Sequence, residues 1–229
     1  DTDATSYCGF LNVNRKAFSN FNDSSVGRST KTVEEAEAAT KAMQNLHFRR
    51  AFVAAIDRAD RNAQSVGEDL KYNSLRNSYV PGNFVTLEEP VTLSIGTFPA
   101  GTYYGEIMQA QIDADGVNFK VWDNASKTSD GFDGWYNVDY AKSELELAIA
   151  ELAEEGVEVS AENPIKIDFG YYSASTTNTN AANSLKNSVE SALDGKVVIN
   201  LVAFDDVTAY YYAGYYPDYG YEMNADYTS

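Results

Sequence analysis

The order strand, helix, strand between Pro164 and Phe204 constrains this chain more than any other stretch. Ile165, Ile167, Phe169 and Tyr171 alternate with other residues, a period of two that predicts a strand over 164–172. Thr176 to Asn180 reads as a polar turn. Leu185, Val189 and Leu193 then recur at helical spacing, predicting a helix over 182–193 that stops at Asp194-Gly195. Lys196 to Phe204, carrying Val198, Leu201 and Val202, reads as a second strand. Two strands joined through a helix pair in parallel, with a right-handed crossover. The fold class that follows is α/β: a mixed sheet with helices packed on it.

Further helices are marked by their caps. Thr32 and Glu35 stand at the spacing of a capping box before a helix over 36–43. Asn45 caps a second helix, in which Phe48, Phe52 and Ile56 share one face with Ala51 and Ala55 beside them. Its pattern runs on to about Gln64 or Val66. Asn137 caps a third helix, with Ala141, Leu145, Ala148 and Leu152 as the buried stripe. Glu144, Glu146, Glu151 and Glu154 read as its wet face, and Gly156 as its end. Tyr7 to Asn14 reads as a strand, Phe18 to Ser29 as a loop, and Arg76 to Thr86 as an ordered loop turning at Val80-Pro81-Gly82. The least regular part is 87–134, with strand-like pieces at Val91–Ile95 and Val117–Trp122.

Charge and composition exclude several functions. With 34 acidic and 17 basic residues the net charge is −17, the wrong sign for phosphate-rich partners and for an anionic membrane face. No apolar run is long enough to span a bilayer. The first residues lack the basic and apolar regions of a signal peptide, and the chain reads as a trimmed piece. A single cysteine, Cys8, allows no intrachain disulfide and reads as a small buried side chain in a strand. It lacks the flanking residues of a lipidation site.

Catalytic patterns are missing. The sole histidine, His47, has no serine or cysteine arrangement around it and reads as a surface or cap residue. Adjacent carboxylates such as Glu88-Glu89 and Asp205-Asp206 follow from composition alone. Asp113-Ala114-Asp115-Gly116 lacks the later ligands of a calcium loop and is a turn. No metal or cofactor is called for. The tyrosine-rich tail, Tyr210 to Tyr221, admits two readings: a groove that stacks on a ligand, or a strand and loop packed at a domain margin, the more frequent case.

Several segments, in order, resemble the oligopeptide-binding lipoproteins of Gram-positive peptide ABC importers, extracellular solute-binding proteins of family 5. Phe10-Leu11-Asn12-Val13-Asn14-Arg15 is similar to their "F-N-x-x-R" strand. Asn45 to Arg58 resembles their signature helix ending in "A-I-D-R", and Asn77 to Val85 their "V-P-x-x-F-V" loop. Asp133 to Lys142 is similar to "D-G-L-Y-N-P-D-K-A-K". Gly156-Val157, Lys186 to Leu193, Asp205-Asp206-Val207 and Tyr212-Ala213 follow in the family's order.

The resemblance implies a periplasmic-binding-protein-like lobe, the third domain of a two-lobed receptor. Residues 1–229 would be that single lobe, with a family-specific insertion at about 87–134. The implied function is capture of extracellular peptides for import, without catalysis. The implied partners are a peptide, the importer's permease and the remaining lobe of the same polypeptide. The implied location is the outer face of the cytoplasmic membrane, through a lipid anchor that this chain lacks. Receptors of this fold for nickel, a sugar or a pheromone stay open as alternatives, as does, more remotely, a secreted hydrolase. In the family an aspartate of "G-W-x-x-D-Y" holds the peptide ammonium. Gly214-Tyr215-Tyr216-Pro217-Asp218-Tyr219 matches it loosely, making Asp218 a ligand-binding candidate. A second alignment places the motif beyond Ser229. Tyr7, on the strand entering the lobe, is a second candidate as an aromatic facing the cleft.

Overall fold

The computed structural model describes residues 6–13, 29–215 and 223–228. In chain order its elements are β1 (Ser6–Leu11), α1 (Val33–Gln44), α2 (Leu46–Ala54), α3 (Arg58–Val66), β2 (Val91–Leu93), β3 (Gly96–Phe98), α4 (Tyr104–Ala114), α5 (Val138–Glu154), β4 (Ile165–Tyr172), α6 (Thr176–Ala192), β5 (Val197–Phe204), α7 (Val207–Tyr215) and β6 (Met223–Thr228). The main sheet has the order β1-β6-β4-β5. β4 and β5 are parallel, from Ile165 opposite Val197 to Tyr172 opposite Phe204. β6 runs parallel to β4 and antiparallel to β1. The parallel unit foreseen between Pro164 and Phe204 is present.

Its helix is longer than the apolar spacing indicated. Ser175 accepts from the Asn178 amide at 3.4 Å, so the expected turn at 176–180 is the first turns of α6. Serine and threonine lower helix propensity but favour this capping position. Conversely, the helix expected to run from Asn45 to Gln64 or Val66 is two helices. Asp57 leaves helical geometry at ψ 93°, and its carboxylate accepts from the Asp60 amide at 2.8 Å. That cap starts α3 at a new angle, because an aspartate can replace the missing carbonyl of a broken turn.

The core lies between the sheet and the helices. Ile165, Ile167 and Phe169 of β4 and Val197 and Ile199 of β5 meet Leu185, Val189 and Leu193 of the α6 segment. Leu145, Ala148 and Leu152 of α5 and Phe48 and Phe52 of α2 complete it. Alanines at 51, 54, 55, 141 and 148 are fully buried and let these helices approach closely. A smaller cluster on the sheet joins Val202 and Phe204 to Ala209 and Tyr210. On the face of the sheet that carries Val202 and Phe204, Lys31 pairs with Asp168 at 3.3 Å with neither side chain exposed, and Asn200 donates to the same aspartate at 3.1 Å.

The segment 87–134 contains a β2–β3 hairpin and α4, and 117–122 forms no strand: the Phe119 amide turns back to the Val117 carbonyl at 3.0 Å. α4 carries few apolar positions, Ile107, Met108 and Ile112, all only partly buried, and no side-chain cap marks its start. Gly105 lies against Trp122, where a Cβ would come within 2.2 Å of the indole. Gly134 is pressed harder: its Cβ would meet the Lys120 carbonyl oxygen at 1.8 Å, while its own carbonyl accepts from the Lys120 amide at 3.1 Å. Only glycine allows that approach.

One arginine ties these parts together. Arg58, in the first turn of α3, places Nη2 2.6 Å and Nε 3.0 Å from Asp133 Oδ1. Its amide donates to Asp133 Oδ2 at 2.9 Å, and its Nη1 and Nη2 donate to the Arg76 carbonyl at 2.8 Å and to Asn77 Oδ1 at 2.6 Å. Asn77 in turn donates to the carbonyls of Ser129 and Phe132, each at 2.9 Å. Its carbonyl accepts from the Trp135 indole at 3.0 Å.

Removing one partner of a mostly buried pair strands the other charge. Arg58→Ala and Asp133→Ala are each expected to cost about 3 kcal/mol of unfolding free energy, read by urea denaturation; a loss under about 0.5 kcal/mol, the range of an ordinary surface change, refutes the role. A second expectation concerns acid. Lys166, whose ammonium is 2.5 Å from Glu35, and the Thr32 amide hold the Glu35 carboxyl below its ordinary value of 4.5. A depressed carboxyl contributes stability above its unfolded pKa and loses it as pH falls through the folded one. Glu35→Gln should therefore flatten stability against pH below about 4.5, and an unchanged acid limb counts against it.

Candidate functional site

The topology selects one end of the sheet. The chain leaves β4 through α6 to β5 on one side, then returns through α7 to β6 on the other. Open α/β sheets bind ligands outside the carboxyl ends of their strands, where such a reversal opens a crevice. Here that end carries Tyr172, the last residue of β4, with Ser173; Phe204, the last of β5, with Asp205 and Asp206; and the first turns of α6 and α7.

The loops at this end are fixed by their own polar groups. The Phe204 carbonyl accepts from the Ser173 amide at 2.7 Å and its hydroxyl at 3.0 Å, which locks the two strand ends together. Asn178 reaches back to the Tyr172 carbonyl at 3.2 Å. Asp206 caps α7, accepting from the Ala209 amide at 2.8 Å. The Tyr210 ring then lies 6.4 Å from both Tyr172 and Phe204 and 5.9 Å from Tyr211. The result is a rigid shelf of aromatic faces beside exposed Asp205 and Asp206.

Tyr7, the second residue of β1, stands opposite Tyr227 in β6, which places its backbone at this same end of the sheet. Asp218 lies outside the described residues, as does most of the loop expected at 18–29. Where the tyrosine-rich stretch from Tyr210 is expected to form a stacking groove or a strand and loop, its described part lies in the helix α7; the one legible signal for that helix is Asp206, three residues before Ala209, the spacing of a helix cap.

Most other perturbed or paired titratable groups lie away from this end; Arg61, beside Tyr210, does not. His47, expected at the surface, has Nδ1 2.6 Å from Glu144 Oε2 and Nε2 3.7 Å from Glu151 Oε1, joining α2 to α5. Glu144 was expected to face water and is instead buried, because it meets this histidine. Burial pushes the Tyr140 phenol up, with the Glu144 carboxylate adding to it. Burial lowers the Arg61 guanidinium, and the neighbouring Tyr210 of the shelf partly opposes that shift. Among the described residues, no three of His, Cys, Asp and Glu are arranged to hold a metal. A groove of about 330 Å³ lies at the opposite, amino end of β4, lined by Glu34, Glu35, Glu37, Lys41 and Glu158. Two of these are already engaged: Glu35 with Lys166, and Lys41 with the Glu155 carbonyl.

No family model matches the chain. Among curated proteins, it is 32% identical over 208 residues to the oligopeptide-binding protein SarA of Streptococcus gordonii, covering 90% of this chain and 27% of that protein. It is 31% identical over 181 residues to the oligopeptide-binding protein AmiA of Streptococcus pneumoniae, covering 79% of this chain and 24% of that one. Its homologues are thus streptococcal oligopeptide-binding proteins. It spans about a quarter of the length of the relatives it matches. Among solved structures, Listeria monocytogenes OppA bound to peptide superposes with a TM-score of 0.50 at 16% identity, covering 99% of this chain and 31% of that one. That likeness shows the fold, the α/β lobe expected from the sequence.

Because the shelf rests on the α7 cap, Asp206→Ala is expected to cost about 1 kcal/mol and to speed amide exchange selectively in 207–211. Uniform exchange across the chain, with α7 unaffected, would show that the cap does not hold the shelf.

Proposed function

We propose that this chain is a ligand-binding lobe of an oligopeptide-binding lipoprotein that captures extracellular peptides for an ABC importer. The observation that carries the reading is the 32% identity to SarA over 208 residues, in the relatives' own order and across nearly the whole chain. Residues 1–229 act as one lobe, the third domain of the receptor, with 87–134 as an insertion peculiar to its branch. A peptide lies between this lobe and the rest of the polypeptide, and the closed receptor delivers it to the permease. A lipid anchor elsewhere in the polypeptide holds it to the outer face of the membrane. No catalysis is involved: the carboxyl-end shelf offers ring faces, hydroxyls and carboxylates, with the one histidine engaged between α2 and α5.

Tyr7 is a ligand-facing aromatic in this reading, supported by its strand position at the carboxyl end of the sheet. Asp218 is the candidate anchor of the peptide ammonium, supported by the Gly214–Tyr219 sequence match alone. A desolvated ammonium favours a carboxylate over any neutral acceptor.

The test is to express the full-length parent without its anchor, denature it, and identify released molecules by mass spectrometry. A series of short peptides of varied sequence is the expected result; a single sugar or metal chelate would keep the fold and overturn the peptide assignment. In the same protein, Asp218→Asn should weaken peptide binding at least about tenfold, and unchanged affinity rejects that residue as the anchor.

A further inference from the structure

β5 ends the sheet, with β4 on one side and no strand on the other among the described residues. The Ile165 amide donates to Lys196 O at 3.0 Å and the Ser173 amide to Phe204 O at 2.7 Å. Even-numbered residues of β5 therefore turn their backbone groups toward β4, and odd-numbered ones turn them outward. Ile199 is the outward-facing residue at mid-strand. Both of its backbone groups are occupied by one ion pair from α6. Its amide donates to Glu190 Oε1 at 3.0 Å, and its carbonyl accepts from Lys186 Nζ at 2.9 Å. Lys186 and Glu190 are also bonded to each other, one helical turn apart. Side-chain groups thus imitate a neighbouring strand at that one residue.

The strand they cover has the composition of a segment that pairs with itself. Val197 to Phe204 reads Val-Val-Ile-Asn-Leu-Val-Ala-Phe, without a charge, proline or glycine. Such segments template strand addition when their edge is open. Charges stand only at its ends, with Lys196 before it and Asp205 and Asp206 after it, where gatekeeping residues flank hydrophobic strands.

We propose that the outer edge of β5 is a latent strand-pairing surface, closed by the Lys186–Glu190 pair, and that the partner it fits is β5 of a second copy. Two identical edges meet antiparallel about a two-fold axis, an arrangement that is self-complementary and closed. A strand arriving there must first displace both side chains from Ile199.

The test compares the 229-residue chain with Lys186→Ala/Glu190→Ala, with Glu190→Gln, and with Lys142→Ala/Asp194→Ala, which removes an exposed pair elsewhere. Mass is followed by light scattering across a dilution series, and the Ile199 amide by hydrogen exchange. The Lys186→Ala/Glu190→Ala chain should dimerise at a concentration about tenfold lower than wild type. Its Ile199 amide should exchange about tenfold faster when dilute and regain protection as the dimer forms. Glu190→Gln keeps an acceptor oxygen and should behave as wild type, as should the Lys142/Asp194 control. A folded double variant with wild-type mass at every concentration overturns the proposal. So does a dimer that leaves Ile199 unprotected. If the double variant does not fold, Lys186→Met decides: it keeps the apolar stem and removes one cap, so easier dimerisation with Ile199 protection supports the closed edge and unchanged mass refutes it.

Discussion

The Arg58–Asp133 contact, completed by Asn77, is the interaction on which the rest of the structure depends. Three segments far apart in sequence meet there: the first turn of α3, the 76–77 loop, and the turn leading into α5. Guanidinium has five donors in a planar fork, and here it spans a carboxylate, a carbonyl and an amide oxygen at once. Lysine offers a single ammonium centre and cannot cover that spread. By fixing Asp133, the contact also fixes Gly134, whose carbonyl meets the Lys120 amide at 3.1 Å. The Asn137 amide then donates to the Ala54 carbonyl at 2.9 Å, setting α5 against α2. The helical layer therefore takes its geometry from polar contacts, and the apolar core fills the space they define.

This hub explains why separated stretches of sequence carried the family likeness. "A-I-D-R", "N-S-Y-V-P-G" and "D-G-W-Y-N" look like independent motifs in one dimension. In three dimensions they supply Arg58, Asn77 and Asp133 to one network. Asp57, one residue earlier, breaks the helix so that Arg58 can stand in the first turn of α3. The residues that carry the likeness here hold the helical layer together. For that reason the likeness was readable in the sequence while the ligand site was not.

What was legible followed from period and caps. The alternation in Ile165 to Tyr171 and the spacing of Leu185, Val189 and Leu193 gave β4, β5 and the C-terminal part of α6. Thr32 and Glu35 gave α1, with both reciprocal bonds present at 3.2 and 2.9 Å. What was not legible depended on side chains acting locally against their average behaviour. Ser175 caps a helix whose first turn is threonine and asparagine. Glu144 turns inward because a histidine from another helix meets it. α7 is written in tyrosines, which mark strands and loops as readily as helices, so Asp206 alone pointed to it. At the carboxyl end of the sheet, Tyr172, Tyr210 and Tyr211 converge from two strand–helix junctions, a convergence that no spacing along the chain encodes.

The sheet treats its two kinds of boundary differently, and that difference bears on how a peptide can be held. Strand addition uses backbone hydrogen bonds and tolerates varied side chains, which suits a receptor of broad specificity. It requires an edge whose amides and carbonyls are open. At the middle of β5 those groups are already satisfied by Lys186 and Glu190, so a peptide gains little by replacing them: a charge-assisted bond would be lost for each neutral one formed. At the carboxyl ends, strand termini are locked by Ser173 and Asn178, with the Tyr172, Tyr210 and Tyr211 rings clustered beside them. Under the proposed function, an extended peptide is therefore better accommodated across the ends of the strands than alongside β5. There its backbone finds polar termini and its side chains find tyrosine rings, and the closed lateral edge keeps the lobe from taking a copy of itself instead.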